Sequence, residues 1–130
     1  MRQATRDVMR YFDRAAPQHH RDEELHVFPM LVGMQDEQLI RLVARLQSEH
    51  QEMDARWTLA RSLLEEVETG ARTRFNETDD VILDAFYALY AGHMKTEEDL
   101  AFPRASQAMD ADRLKAMSGE MMARRGVTAR

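Results

Sequence analysis

Two copies of one residue pattern carry the chemistry of this chain. Residues 19–29 and residues 93–103 both read H-x3-E-E-x3-F-P, with no insertion or deletion between the copies. At ordinary residue frequencies, five specified positions recur at one offset with a probability of roughly 10⁻⁴ or less. Residues four apart lie on the same face of a helix, so each copy presents an imidazole beside a carboxylate. Each copy is therefore a metal half-site, and two facing half-sites would hold more than one ion.

The first half-site requires a helix over about residues 3–30. Its apolar stripe continues directly into polar positions in steps of three and four, which fit one helix face; the stripe is Val8, Phe12, Ala15, His19, Glu23, His26 and Met30. Pro17 should kink or restart this helix one turn before the histidines. Phe28-Pro29 should end it, because the residue before a proline avoids the α region.

A second helix is expected over residues 36–69, with Asp36 as its N-cap and Gly70 just past its end. His50 lies in the middle of its apolar stripe, where a leucine would be expected, and Asp54 follows one turn later. The third helix, residues 79–103, should be capped by one of the polar residues 78–80 and closed by Phe102-Pro103. A shorter helix should cover residues 110–124. With no strand pattern, the sequence predicts one all-α domain over residues 1–130.

Composition limits the chemistry. The chain has no cysteine, so any metal must be held by His, Asp and Glu. Its net charge of −5 argues against nucleic acid as a partner. No apolar run is long enough to cross a membrane, and no signal peptide is evident, so we expect a cytoplasmic protein.

Polar residues on core faces are the main evidence for a metal site. A single histidine there is more often a hydrogen-bonded structural residue. Burying carboxylates without compensation costs several kcal/mol, however, and two facing glutamates would repel each other. A bound cation turns that cost into binding energy. Imidazole combined with carboxylate suits iron, manganese or zinc better than calcium or magnesium.

Ferritin-like di-iron bundles use two Glu-x-x-His motifs. Here only Glu23 and His26 have that spacing, and the second copy has Leu100 in place of the histidine. That family is disfavoured.

The doubled motif resembles the hemerythrin-like (HHE cation-binding) family, whose hallmark is His-x3-Glu-Glu followed by an aromatic-proline pair. Both copies match, Glu49-His50 is similar to the family's Glu-His pair on another helix, and residues 121–126 resemble the tail of many such domains. The resemblance implies a helical bundle holding two irons joined by an oxo or hydroxo group, with Zn or Mn as substitutes in a purified sample. The implied terminal ligands are His19, His50 and His93, and the implied bridging ligands are Glu23 and Glu97. Family members bind or sense O₂ or another small diatomic ligand, or respond to iron or redox state.

Members of that family normally have an earlier helix with one more histidine, for which this sequence has no room. The start at Met1 could be internal to a longer protein. A second chain could complete the bundle, or the C-terminal helix could fold back into the vacant position without bringing a histidine. We expect a homodimer, because three helices with strong stripes leave an apolar face to cover.

Other polar residues near the motifs are secondary candidates. His20 points about 100° away from His19, which favours a supporting or solvent role over ligation. Asp54 could ligate a metal or hydrogen-bond a ligand. His26 is expected to pack in the core, and Glu24 and Glu98 to be solvated or paired with Lys or Arg.

Three functions follow from these residues. The leading one is a non-haem iron protein that binds or senses O₂, iron or redox state. No pocket for an organic substrate is indicated, so an enzyme is disfavoured. The alternatives are a di-iron oxidase or peroxidase, which Tyr87 or Tyr90 near the site would support, and a metal-free helical interaction module with a degenerate site.

Overall fold

A computed structural model describes residues 2–126, and within that range the chain is helical and has no strand. The first helix runs through residues 2–33 as alternating α- and π-helical segments: Arg2–Arg10, Tyr11–Ala15, Ala16–Asp22, Glu23–Val27 and Phe28–Gly33. The second helix is Glu37–Glu68. The third runs through residues 77–108 as Glu77–Thr96, Glu97–Ala101 and Phe102–Ala108, and the fourth is Ala111–Arg124. The predicted all-α class is confirmed.

Side-chain caps begin three of the four helices. The Asp36 carboxylate accepts hydrogen bonds from the backbone N–H groups of Gln38 and Leu39, as expected for an N-cap. Asn76 caps the third helix through a capping box with Asp79, so the prediction that one of residues 78–80 is the N-cap was wrong by two to four residues. Asp110 accepts from the N–H of Arg113 and starts the fourth helix.

Neither Phe-Pro pair ends its helix, which corrects two predicted boundaries. The first helix continues past Phe28-Pro29 to Gly33, and the third continues past Phe102-Pro103 to Ala108. Pro17 also lies inside a continuous helix. Each proline follows a π-helical turn that is closed by an i to i+5 hydrogen bond. A proline lacks an N–H and clashes with the carbonyl four residues earlier, and the wider turn accommodates both defects.

The π-turns also keep the motif residues on one face. The N–H of Phe28 donates to the carbonyl of Glu23, and the N–H of Phe102 donates to that of Glu97. In a π-turn, residues five apart are stacked, whereas in an α-helix they would lie about 140° apart. Glu23 and Phe28 are consequently both buried, each 1% exposed. The spacing H-x3-E followed by E-x4-F is thus one α-turn and then one π-turn.

Apolar packing brackets the middle of the bundle. On one side, buried aliphatic and aromatic side chains from the first three helices form a cluster that contains Phe28, Leu31, Val43, Leu46 and Ala101. Burying such side chains contributes about 1.5–3 kcal/mol each for the larger ones. On the other side, the rings of Phe12, Trp57, Phe86 and Tyr90 pack together at centroid distances of 4.8–5.3 Å. His50 lies between these two layers along the second helix.

The fourth helix folds back along the first, antiparallel to it, which is the third arrangement that the sequence left open. Arg124 and Arg125 both pair with Asp22, and Glu120 approaches His26 at 3.4 Å. Burial by itself would raise the pKa of Asp22, but the hydrogen bonds from Arg125 and Arg124 outweigh it and lower the pKa. The fourth helix contributes no histidine.

Across residues 2–126, no helix is both long and apolar enough to cross a bilayer.

Candidate metal centre

Three helices bring their polar residues to one point in the interior. The α-turn in each copy of the motif places the imidazole over the carboxylate, with His19 Nε2 2.9 Å from Glu23 Oε1 and His93 Nε2 3.3 Å from Glu97 Oε1. The second helix adds His50, whose Nε2 lies 3.1 Å from Glu23 Oε2 and 3.1 Å from His93 Nε2.

Four of the predicted ligands form one compact donor set. Donor atoms of Glu23, His50, His93 and Glu97 all lie within 4.8 Å of one another, and all four residues are buried. His19 is less enclosed, with a side chain that is 40% exposed, and it reaches the group through Glu23. The structure therefore places all five predicted ligands in or beside one cluster.

Several atoms of this cluster lack the partners that buried polar atoms normally have. Among the described residues, Glu23 Oε1 and Glu97 Oε1 approach imidazole nitrogens, His19 Nε2 at 2.9 Å and His93 Nε2 at 3.3 Å, but neither contact has the geometry of a hydrogen bond. Glu97 Oε2 is buried without a hydrogen bond as well. Each unsatisfied buried polar group costs about 1–3 kcal/mol. Donor atoms of Glu23 and Glu97 lie within 4.8 Å of those of His50 and His93, and His19 Nε2 lies beside Glu23, so the residues fit a cation. Nitrogen and oxygen donors without sulfur match iron, manganese or zinc.

Two glutamates hydrogen-bond the Nδ1 atoms of His50 and His93, while the Nε2 atoms of these rings face the cluster. Glu24 Oε1 lies 3.2 Å from His50 Nδ1, and Glu49 Oε1 lies 2.9 Å from His93 Nδ1. A carboxylate at Nδ1 fixes the proton there and leaves the Nε2 lone pair for a metal. Glu24 was expected to be solvated or paired with Lys or Arg; it is exposed, as expected, but the side chain it contacts is that of His50. Adjacent residues on a helix point about 100° apart, so Glu24 reaches the second helix while Glu23 faces the interior.

His20 lies against the cluster. Its ring stacks on that of His50, with centroids 4.0 Å apart and planes inclined by 15°, and it forms a second donor group with His50 and His93. Burial, reinforced by the neighbouring His50, lowers the pKa of His20 to about 4 and keeps the ring neutral. A neutral imidazole is the form that binds metals. From the sequence, a supporting or solvent role was favoured over ligation for this residue, and ligation was kept as a secondary possibility.

Asp54 does not join either donor group. It is exposed on the second helix and borders a small void of about 20 Å³ together with His20. His26, expected in the core, is partly buried and faces Glu120 of the fourth helix.

Without a cation the cluster holds protons. Burial raises the pKa of Glu97 to about 7, and the neighbouring Glu23 contributes to the shift. For His93, burial acts in the opposite direction but is outweighed by Glu23 and Glu97, which raise its pKa to about 10. The pKa of Glu23 is lowered despite its burial, because His19, His50 and His93 all bond to it. A cation would therefore replace protons shared among these groups.

Comparisons with known proteins agree with this geometry. The family model of the hemerythrin HHE cation-binding domain matches residues 2–105, which include both copies of the motif and His50 but not the fourth helix. A Haemophilus influenzae protein, described only as uncharacterized, is 34% identical over 120 residues, which cover 92% of this chain and 67% of that protein. No solved structure matches the chain.

Proposed function

The chain belongs to the hemerythrin HHE cation-binding domain family, and from that membership we propose that it is a non-haem iron protein that binds or senses O₂ or another small diatomic ligand, or responds to iron or redox state. The observation that carries this proposal is the set of buried imidazole and carboxylate donor atoms, from three helices, that lie within 4.8 Å of one another. A cation is the simplest group that would satisfy them all.

Within the proposal, Glu23, His50, His93 and Glu97 hold the metal, and His19 and His20 complete it from either side. Six side chains of this kind could hold one or two ions. Iron held there would supply a binding position for a small ligand and a change of oxidation state. The chain's own residues orient the imidazoles through Glu24 and Glu49 and exclude water with the apolar layers on either side.

Metal analysis of the purified protein, combined with its visible spectrum in air, tests the proposal. We expect iron, with one to two ions per chain, and absorption in the near-ultraviolet and visible that zinc would not give. His50→Leu and Glu97→Ala should each lower both the metal content and the melting temperature. Protein that takes up no iron, manganese or zinc on reconstitution would refute the proposal.

The same variants distinguish the metal-binding protein from a metal-free interaction module, which is the alternative. In that case His50→Leu fills an apolar stripe and should raise the melting temperature, because it removes a buried polar ring.

An oxidase or peroxidase is a second candidate, and one observation favours it. The hydroxyl groups of Tyr90 and Tyr11 are hydrogen-bonded at 2.8 Å, and burial, the bond to Tyr11 and the nearby Glu97 all raise the pKa of Tyr90. A neutral tyrosine one turn from His93 is placed to exchange an electron with a metal. Turnover of peroxide or Fe(II) that falls at least tenfold in Tyr90→Phe would support an enzyme, and its absence would favour binding or sensing.

The cytoplasmic location and the absence of nucleic acid partners stay predictions.

A further inference from the structure

Arg45 lies on the surface of the second helix and contacts a residue that supports the metal centre. Its side chain is 58% exposed, and its Nε lies 3.2 Å from Oε2 of Glu49, one helical turn later. The other oxygen of the same carboxylate, Oε1, lies 2.9 Å from Nδ1 of His93. Both oxygens of Glu49 are therefore engaged, one by a cation at the surface and the other by a predicted ligand in the interior.

The guanidinium of Arg45 also reaches the third helix. Its Nη2 donates to Oγ1 of Thr96 at 3.4 Å, and the Thr96 hydroxyl donates to the carbonyl of Gly92 at 3.0 Å. Gly92 and Thr96 lie on either side of His93 in the sequence. One side chain thus joins Glu49 on the second helix to the part of the third helix that carries His93.

The two contacts of the Glu49 carboxylate fix a torsion that is otherwise soft. The last torsion of a glutamate side chain has a broad energy profile, so a carboxylate that is held at one oxygen can still rotate. A hydrogen bond to the second oxygen removes this freedom, and a bond from a guanidinium is of the strong, charge-assisted kind. A fixed carboxylate in turn sets the orientation of the His93 ring.

The corresponding support of His50 has no such contact. Glu24 Oε1 lies 3.2 Å from His50 Nδ1, but within residues 2–126 no lysine or arginine pairs with Glu24. The Glu24 side chain is also more exposed, at 39% against 16% for Glu49. The carboxylate behind His93 is therefore held at both oxygens, and the carboxylate behind His50 at one.

We propose that Arg45 is a positioning residue of the metal centre, which orients the His93 ring for a cation by holding the Glu49 carboxylate in place. The inference rests on the proposed metal-binding function and extends it to a surface residue that provides no donor atom. Arg45 acts at His93 and leaves His50 unaffected, because it does not contact the carboxylate behind that ring.

Titration of the full chain with Co(II), followed by visible absorption, measures the effect on metal binding. Loss of a residue behind a metal ligand lowers affinity about 10–100-fold, and for Arg45→Met, one layer further out, we expect the lower end, about tenfold. Removing a positive charge near a cation site would by itself raise the affinity. The expected decrease is therefore opposite in sign to the effect of net charge.

Arg56→Met is the matched control. Arg56 lies on the same helix, is 43% exposed and pairs at 2.9 Å with Glu52, which contacts no histidine in the part of the chain that the structure describes. The substitution removes the same charge and the same kind of ion pair, so Co(II) affinity should be unchanged. Arginine and methionine have similar helix propensities, so both variants should fold, which circular dichroism melting of the metal-free protein checks.

Arg45→Lys tests whether a conservative variant rescues the effect. Lysine keeps the charge and can reach Glu49, but it lacks the planar fork that contacts Glu49 and Thr96 together. Its Co(II) affinity should recover at least part of what Arg45→Met loses. A lysine variant as weak as Arg45→Met would overturn the inference, because contact with Glu49 would then have no effect.

NMR of the metal-free protein with isotope-labelled histidine tests the same contact without a metal. The Nδ1 proton of His93, which is shared with Glu49, should exchange slowly with water in the wild type and faster in Arg45→Met. The Nδ1 proton of His50, which is shared with Glu24, is the internal reference, and its exchange should be the same in both proteins.

These measurements distinguish failure of this inference from failure of the proposed function. If the wild type takes up no Co(II), the metal-binding proposal fails, and the exchange of the His93 proton still decides whether Arg45 positions that ring. Arg45→Met that binds Co(II) as tightly as the wild type, or a loss shared by Arg56→Met, would overturn the inference. Exchange that is unchanged at His93, or that changes equally at His50, would also overturn it.

Discussion

In this site, two residues that are adjacent in the sequence have complementary roles. Glu23 faces the cluster while Glu24 holds His50 from behind, and His50 faces the cluster while its neighbour Glu49 holds His93. The first and second helices thus each supply a donor and a support for a donor on another helix. The second copy of the motif breaks this rule, because Glu98 is exposed and touches no histidine among the described residues.

The difference between Glu24 and Glu98 gives a prediction with an internal control. Glu24→Gln and Glu49→Gln should each lower metal affinity about 10–100-fold, since a carboxylate behind a ligating imidazole sets its orientation and basicity. Glu98→Gln, at the equivalent position of the second copy, should leave affinity unchanged. Titration with Co(II), followed by its visible absorption, measures all three variants. An equal loss of metal affinity in all three variants would mean that the effect comes from the net charge of the region and not from contact with the histidines.

The protonation of the cluster predicts how metal uptake depends on pH. The pKa of Glu97 is raised to about 7 and that of His93 to about 10, so below pH 7 both groups hold protons that a cation must displace. Affinity should therefore fall as the pH is lowered through 7, and binding should release protons. Titration calorimetry in buffers of different ionisation enthalpy measures the protons released. Affinity that is equal at about pH 6 and about pH 8 would contradict this assignment of protons.

At the scale of the helix, the π-turn after each carboxylate is what allows one motif to supply both a metal ligand and a core aromatic residue. A π-turn is an α-helix with one extra residue. The extra residue returns Phe28 to the face of Glu23 and makes room for Pro29. The Phe-Pro pair is therefore part of the site's framework and does not mark a helix end.

Single-residue deletions in the third helix test this interpretation. Deleting Asp99 from the π-turn, combined with Pro103→Ala, should convert the turn to an α-turn and leave both the ligands and the core in register. Deleting Lys95 should rotate His93 away from Glu97 by about 100° and abolish metal binding. Both deleted residues are exposed and paired only with each other, which makes the comparison a matched one. Metal content and melting temperature distinguish the variants, and similar behaviour of the two would contradict the role given to the π-turn.

The fourth helix is attached to the first by a few polar contacts, including those of Arg124 with Gln18 and of Glu120 with His26. None of its residues is fully buried, and its main attachment is the pairing of Asp22 with Arg124 and Arg125. Asp22→Asn should release this helix and increase hydrogen exchange of residues 111–124 well before the other helices exchange. Asp80→Asn, an exposed carboxylate without an ion pair, is the control. Unchanged protection in Asp22→Asn would show that apolar contacts alone hold the helix.

For the whole molecule, the centre joins three helices at a point that is costly to keep without a cation. Buried carboxylates and imidazoles there oppose folding, while the apolar layers on both sides favour it. A bound metal should therefore be a large part of the stability of the bundle.

Metal loading should raise the melting temperature. A ligand at a hundred times its dissociation constant stabilises the folded state by about 2.7 kcal/mol, which shifts melting by several degrees in a domain of this size. Differential scanning calorimetry with and without Fe(II) under nitrogen measures the shift. The melting temperature of Glu97→Ala should not change with metal. If the wild-type protein melts at the same temperature with and without metal, the cluster does not contribute to stability through metal binding.

Much of this protein follows from local pattern. The periodic stripes predicted the helices, and the doubled H-x3-E-E-x3-F-P motif placed His19, Glu23, His93 and Glu97 on inward faces, because residues four apart share a helix face whatever surrounds them. His50 was identifiable because a histidine replaces an expected leucine in a regular stripe.

Only the tertiary structure decided the rest, because those features depend on what lies opposite. Glu24 and His20 face the second helix, which their own helix does not specify, so their contacts with His50 could not be inferred from spacing. The helices continue through Pro29 and Pro103 because burial of the neighbouring aromatic residues compensates for a wider turn that sequence rules treat as an end. The return of the fourth helix onto Asp22 joins residues about a hundred positions apart, a distance over which local propensity carries no information.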